Sequence, residues 1–140
     1  MTITSELKRS KKAVSNIGFW QILFAYRLPL SGYVSIFHRF SGAVLFLLLP
    51  FVMLLFDQSL TSELSFEVFK QFLPNIVVKL IVLALSWAFF HHFCAGIRHL
   101  LMDVNHDAVS KEGGKRTAVV VFVVSIALTI AMALKLFGAF

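Results

Sequence analysis

Three stretches of the chain are apolar at nearly every position, and charged residues mark where each one begins and ends. The first holds 16 residues without a formal charge, 41–56, and residues 34–37 extend it on the far side of His38 and Arg39. The second, residues 80–97, lies between Lys79 and Arg98 and contains His91 and His92. The third, residues 117–134, has 18 positions without a charge. A helix rises ~1.5 Å per residue, so about 20 such residues cross ~30 Å of hydrocarbon. The pattern therefore predicts three transmembrane helices, at about 34–56, 77–101 and 117–137. Pro50 falls inside the first, where a kink is tolerable if neighbouring groups satisfy the freed carbonyl.

The segments between them are short and polar. Residues 57–75 contain Asp, Gln, Ser, Thr and Pro74 and read as a loop with a short amphipathic helix at 66–73. Residues 105–116 contain Gly113-Gly114 and read as a loop ending in the basic pair Lys115-Arg116. Residues 1–26 form a basic N-terminal segment ahead of a transmembrane domain at 27–140. Residues 1–16 have no apolar core before a small-residue cleavage site, which argues against a secretory signal. Glu6 and the low Arg content argue against an organellar presequence. Residues 19–25 are apolar and aromatic and read as interfacial.

Composition makes lipid the solvent. Of 140 residues, 59% are hydrophobic and only 14% charged, against roughly a quarter charged in ordinary globular chains. A small soluble fold could not hide that much apolar surface, and a disordered chain would not carry it. One cysteine excludes an internal disulfide and a CxxC-type zinc site. The net charge of +6 is read as an orientation signal rather than a nucleic-acid footprint. Six basic residues flank the start of span one and four lie at the second connection, against Lys70, Lys79 and Lys135 on the opposite side. The excess puts the N-terminus and the second connection in the cytoplasm and the C-terminus outside.

Ionisable groups in hydrocarbon cost about 2.5–3.5 kcal/mol each on insertion scales and are candidates for function. In span one, Ser35, His38 and Arg39 share a helical face with Gly42. A snorkelling arginine beside a solvated histidine is the plain alternative. Span two holds His91, His92, Gly96, Arg98, His99 and Asp103. His92 and His99 are two turns apart and stack on one face, with Ala95 and Gly96 between them. His92 lies deeper by roughly 10 Å. A neutral imidazole at that depth needs a partner. It is either an axial haem ligand, with His38, Arg39, Arg98 and His99 on the propionate side and small residues leaving room for a flat macrocycle, or it is hydrogen-bonded to a neighbouring helix. His91 projects about 100° away, toward headgroups or a neighbour. Cys94 reads as a small apolar filler. Ser125 and Thr129 are the polar members of a span that reads as scaffold. Only His92 lies at depth, so a second haem ligand is expected from another subunit.

Residues 35–42, Ser-Ile-Phe-His-Arg-Phe-Ser-Gly, resemble the S-I-x-H-R-x-S-G signature of the cytochrome b subunit of succinate dehydrogenase, the larger membrane anchor of respiratory complex II. Residues 92–103 resemble that family's second signature, H-x-x-x-G-x-R-H-x-x-x-D. The two occur in the family's order, on the first and second of three spans. The resemblance is specific from about Arg27 to Asp103. The third span agrees in hydropathy alone, and the first 26 residues depart from the family's usual lead.

The resemblance implies an all-α membrane protein whose three helices form a bundle with a second small anchor subunit. It implies a haem b shared between the two anchors, with His92 the iron ligand and His38 and His99 near the propionates. It also implies a quinone site lined by Ser35 and Arg39, the quinone expected to be ubiquinone. Peripheral flavoprotein and iron-sulfur subunits would deliver electrons from succinate, and the isolated chain would have no activity. Asp103 is a candidate proton entry group. The membrane would be a bacterial inner membrane, with the mitochondrial inner membrane as the alternative. The competing readings are a fumarate reductase anchor, and a non-redox assembly or transport subunit with intramembrane His/Arg relays.

Overall fold

The computed structural model describes residues 18, 28–105 and 109–138, and within them the backbone is helical with no strand. Helix α1 spans Leu30–Thr61, α2 Glu63–Phe72, α3 Ile76–Val104 and α4 Lys111–Leu136. Three of these, α1, α3 and α4, are long and apolar enough to cross a membrane. At ~1.5 Å per residue they measure roughly 40–50 Å, so they tilt or project beyond the hydrocarbon.

Local chemistry sets the ends. Pro29 holds an extended backbone before α1, and its carbonyl accepts the Gly32 N–H at 2.8 Å. Ser62 interrupts the chain between α1 and α2, and its hydroxyl accepts the Ser65 N–H at 3.1 Å. The short helix therefore starts at Glu63, three residues before the expected 66, and residues 57–61 belong to α1 rather than to a loop. Asn75 caps α3 by accepting the Val77 N–H at 2.8 Å. Ser110 caps α4 by accepting the Gly113 N–H at 3.1 Å, with Glu112 in the first turn. A side-chain oxygen at this position satisfies an otherwise orphaned donor. That cap overrides the helix-breaking tendency of Gly113-Gly114, so residues 111–116, expected as loop, are helical. Gly138 ends α4 with φ of 76°, a left-handed conformation that favours glycine. The expectations for residues 1–16 and 19–25 lie outside the described residues.

Helix α3 is the centre of the bundle, packed on α4 along its length and on α1 across another face, with α2 folded back on α1. The buried apolar residues are Val34, Ala95, Ala118 and Val121, joined by the polar Ser41, His91, Arg98 and Ser125. Most are small, which lets helices approach closely where lipid supplies no hydrophobic drive between them. Only 6%, 11% and 17% of the most apolar windows of α1, α3 and α4 are buried. The remaining surface must face lipid or other helices. The basic residues separate by end, with Lys70, Lys79 and Lys135 around one cavity and Arg98 and Arg116 around another at the opposite end.

Candidate functional site

The polar residues of α1 and α3 meet at the end of the bundle that carries Arg39 and Arg98. His38 of α1 lies between His92 and His99 of α3. Its ring stacks on His92, with centroids 4.3 Å apart and planes 9° from parallel, and lies 5.0 Å from His99. Gly42 makes the seat of His92 possible, while Gly96 faces His38 at ordinary contact distance. A Cβ on Gly42 would stand 2.7 Å from His92 Cε1, and a Cβ on Gly96 would stand 3.6 Å from His38 Nε2. The small positions expected to leave room for a macrocycle thus first make room for histidines.

His92 is oriented by a backbone group. Its Nδ1–H donates to the His38 carbonyl at 3.0 Å. The same carbonyl accepts the hydroxyl of the buried Ser41 at 3.0 Å, and Ser41 Oγ lies 3.5 Å from His92 Nδ1. A carbonyl can only accept, so Nδ1 carries a proton, and in the neutral ring the lone pair is on Nε2. A ring held in this tautomer through its other nitrogen is the arrangement of metal-ligating histidines generally. Stacked side by side, His38 and His92 do not form an end-to-end axial pair. Among the described residues no three donor side chains are grouped to hold a metal ion by themselves.

Ser35 is half-buried and makes no hydrogen bond among the described residues, and Arg39, one turn on, is exposed. At 3.6 residues per turn Ser35 lies about 20° from Gly42 and 60° from His38 around α1, and Arg39 about 60° and 100° from them. Arg39, Arg98 and Asp103 all lie within electrostatic reach of the half-buried His99. Asp103 is exposed at the end of α3.

Arg98 and His91 take their contacts from neighbouring helices. Arg98 turns from the histidines to α4, where Nε donates to Thr117 Oγ1 at 3.0 Å and Nη2 to the Gly114 carbonyl at 3.4 Å. It is an interhelical tie between α3 and α4. His91 packs against neighbouring helices, the second of its two expected surroundings. It is fully buried in a ring of aromatics drawn from all three long helices: Phe37 at 5.9 Å, Trp87 at 5.2 Å and Phe122 at 5.3 Å. Among the described residues neither of its ring nitrogens has a hydrogen-bond partner. Sequence reasoning passed over Ser41, although its place three residues after His38 was a visible signal. The role of Thr117 had none, because it depends on the register between α3 and α4.

Residues 14–132 match the family described as Succinate dehydrogenase/Fumarate reductase transmembrane subunit. The chain belongs to this family. The match includes the third span and part of the N-terminal segment, beyond the reach of the two motifs. A succinate dehydrogenase cytochrome b556 subunit of Coxiella burnetii is 40% identical over 104 residues, covering 74% of this chain and 82% of that protein. One from Rickettsia felis is 33% identical over 84 residues, 60% of this chain and 64% of the relative's length. A cytochrome b560 subunit of Porphyra purpurea is 30% identical over 104 residues, 70% of this chain and 83% of its own. With three long apolar helices, the chain is a multi-pass membrane-anchor subunit of the succinate dehydrogenase cytochrome b type.

Proposed function

We propose that this chain binds haem b and quinone in a succinate:quinone oxidoreductase and takes part in passing electrons from the iron-sulfur subunit to quinone. The observation that carries the reading is His92, whose Nδ1–H is committed to the His38 carbonyl and whose Nε2 is left to ligate. The fit of the residues is good: an oriented imidazole seated over Gly42, with His38 and His99 beside it. Bound haem would supply one-electron redox chemistry that no side chain here has. Because His38 lies alongside His92, a second ligand to the haem iron would come from a second small anchor subunit. Arg39 and His99 are the groups to balance propionate charge; Arg98, tied to α4, is not.

Ser35 and Arg39 form the quinone site. A carbonyl oxygen gains charge as a quinone is reduced, and a preorganised hydroxyl and guanidinium stabilise it where the dielectric is low. Reduction to quinol takes two protons; Ser35 can hand one on, and Asp103 stands at the exposed end of α3 to admit it. The flavoprotein and iron-sulfur subunits dock at this basic end, on the cytoplasmic face of a bacterial inner membrane, or the matrix face of a mitochondrial one. The family covers fumarate reduction as well, and quinone potential and partners set the direction.

The test is the haem absorbance of the purified complex. His92→Ala should remove or perturb it, and His91→Phe, which keeps the aromatic cluster filled, should leave it unchanged. Equal loss in both variants would defeat the assignment. For the orientation, a reporter fused after Phe140 should be active on the outer face. Activity confined to the cytoplasmic face would reverse the topology.

A further inference from the structure

Ser41 reaches the site through an acceptor that it shares. It is 2% exposed on α1, and its hydroxyl donates to the His38 carbonyl at 3.0 Å. A buried serine satisfied by a carbonyl one turn back is ordinary in a helix. The buried Ser125 does the same on α4, donating to the Phe122 carbonyl at 3.1 Å. What sets Ser41 apart is the other donor at its acceptor. His92 crosses from α3 to place Nδ1 3.0 Å from the His38 oxygen and 3.5 Å from Ser41 Oγ. In an α-helix that oxygen also takes the N–H four residues on. Three donors therefore share one carbonyl with two lone pairs. Whatever Ser41 takes of that acceptor is withdrawn from His92.

We propose that Ser41 is a positioning residue for His92, acting through the shared His38 carbonyl to set how strongly the imidazole donates to the iron of a bound haem. This role rests on His92 being the haem ligand. The chemistry fixes its sign. A ring N–H held by a strong acceptor releases electron density to the opposite nitrogen, and such outer partners tune a metal. More density at Nε2 favours ferric iron and lowers the reduction potential. The Ser41 hydroxyl weakens the hold of the carbonyl on Nδ1–H, so it keeps the potential up. Oγ can itself accept, but at 3.5 Å from Nδ1 it is a much weaker partner than the carbonyl at 3.0 Å. Removing the hydroxyl leaves the carbonyl to His92 and the helix, strengthens that bond, and shifts the couple toward ferric.

The test is a redox titration of the haem absorbance in the full chain purified with its companion subunits. Ser41→Ala should keep the haem and shift the ferric–ferrous equilibrium toward ferric by about threefold to tenfold, the range of one net hydrogen bond. That is a fall of roughly 30–60 mV, at about 59 mV per tenfold for one electron. Ser41→Cys fills nearly the same volume with a weak donor and should lower the potential in the same direction. Ser125→Ala removes a buried serine bonded to its own helix in the same manner and should leave the potential at the parental value. An unchanged or raised potential in Ser41→Ala would overturn the proposal. So would a parental potential in Ser41→Cys, which would make Ser41 a packing residue, or an equal fall in Ser125→Ala. Should Ser41→Ala fail to assemble, Ser41→Cys decides by the same criterion. His92→Ala separates this role from the reading beneath it. Haem lost or perturbed there, with parental potentials in the Ser41 variants, sinks the role of Ser41 alone; a haem untouched by His92→Ala sinks both.

Discussion

Helix α3 has two interfaces of opposite character. Toward α4 it presents Ala95 and Arg98, closed against Ala118, Val121 and Thr117, a seam of small side chains with one cation tied into it. Toward α1 it presents His92, Gly96 and His99, meeting His38 and Gly42, and these imidazoles remain half-buried. The first seam commits its polar groups to neighbouring helices. The second orients them and leaves acceptor or ligand capacity unspent, as at His92 Nε2. The difference separates polar groups that hold a membrane bundle together from those available to a ligand. Depth alone does not, since His91 is as deep in α3 as His92 and fully enclosed.

The largest effect expected on the open side is at Ser35. Ser35→Ala should slow quinone reduction roughly 10²–10³-fold, about 2.7–4 kcal/mol, if the lost hydroxyl acts like a donor to developing charge. Succinate oxidation by a soluble artificial acceptor should survive, because that acceptor takes electrons upstream of the membrane. Steady-state assays with the two acceptors on one preparation make the measurement. A parental quinone rate at normal haem content would remove Ser35 from the site.

The two glycines of the histidine interface come next. Gly42→Ala places a methyl 2.7 Å from His92 Cε1, so the ring must leave its seat and its bond to the His38 carbonyl. Overpacking of this kind costs about 1–3 kcal/mol, and the haem spectrum should shift with the ring. Gly96→Ala meets His38 Nε2 at 3.6 Å, an ordinary contact, and removes a helix-interior glycine worth up to about 1 kcal/mol. It should be neutral or stabilising with an unchanged spectrum. Haem loss in Gly96→Ala alone would mean that Gly96, not Gly42, sets the spacing.

The three long helices were legible because lipid forces each span to be apolar over a fixed length, and Lys79 and Arg98, the charges that bound the second, lie about one and two turns inside the ends of α3. The start of α4 was not, because Gly113-Gly114 signals a loop while the Ser110 cap decides otherwise. In the site, helical spacing placed His92 and His99 on one face and topology put His38 toward the same membrane surface, and those three meet. Spacing along one helix says which residues share a face and nothing about which neighbour that face meets. For that reason Arg98, expected with the histidines, stands on the α4 side, and Gly42 proves to be the seat of His92.

The smallest expected effect is at His91, where the two kinds of interface can be set against each other within one residue pair. His91 is wholly buried, its ring nitrogens lack hydrogen bonds, and three aromatic rings enclose it. Replacing a buried unsatisfied polar group by an apolar one of similar shape relieves a desolvation cost of about 1–3 kcal/mol. Phe is the larger ring, and fitting it costs about the same amount in overpacking. His91→Phe should therefore melt close to the parental temperature, in contrast to His92→Phe, which gives up the bond to the His38 carbonyl and the free Nε2 together. Thermal unfolding of the purified complex, followed with haem absorbance, compares the two. A large drop in stability for His91→Phe would mean that His91 has a polar partner in the assembled complex, and the line drawn between His91 as core and His92 as ligand would then fall.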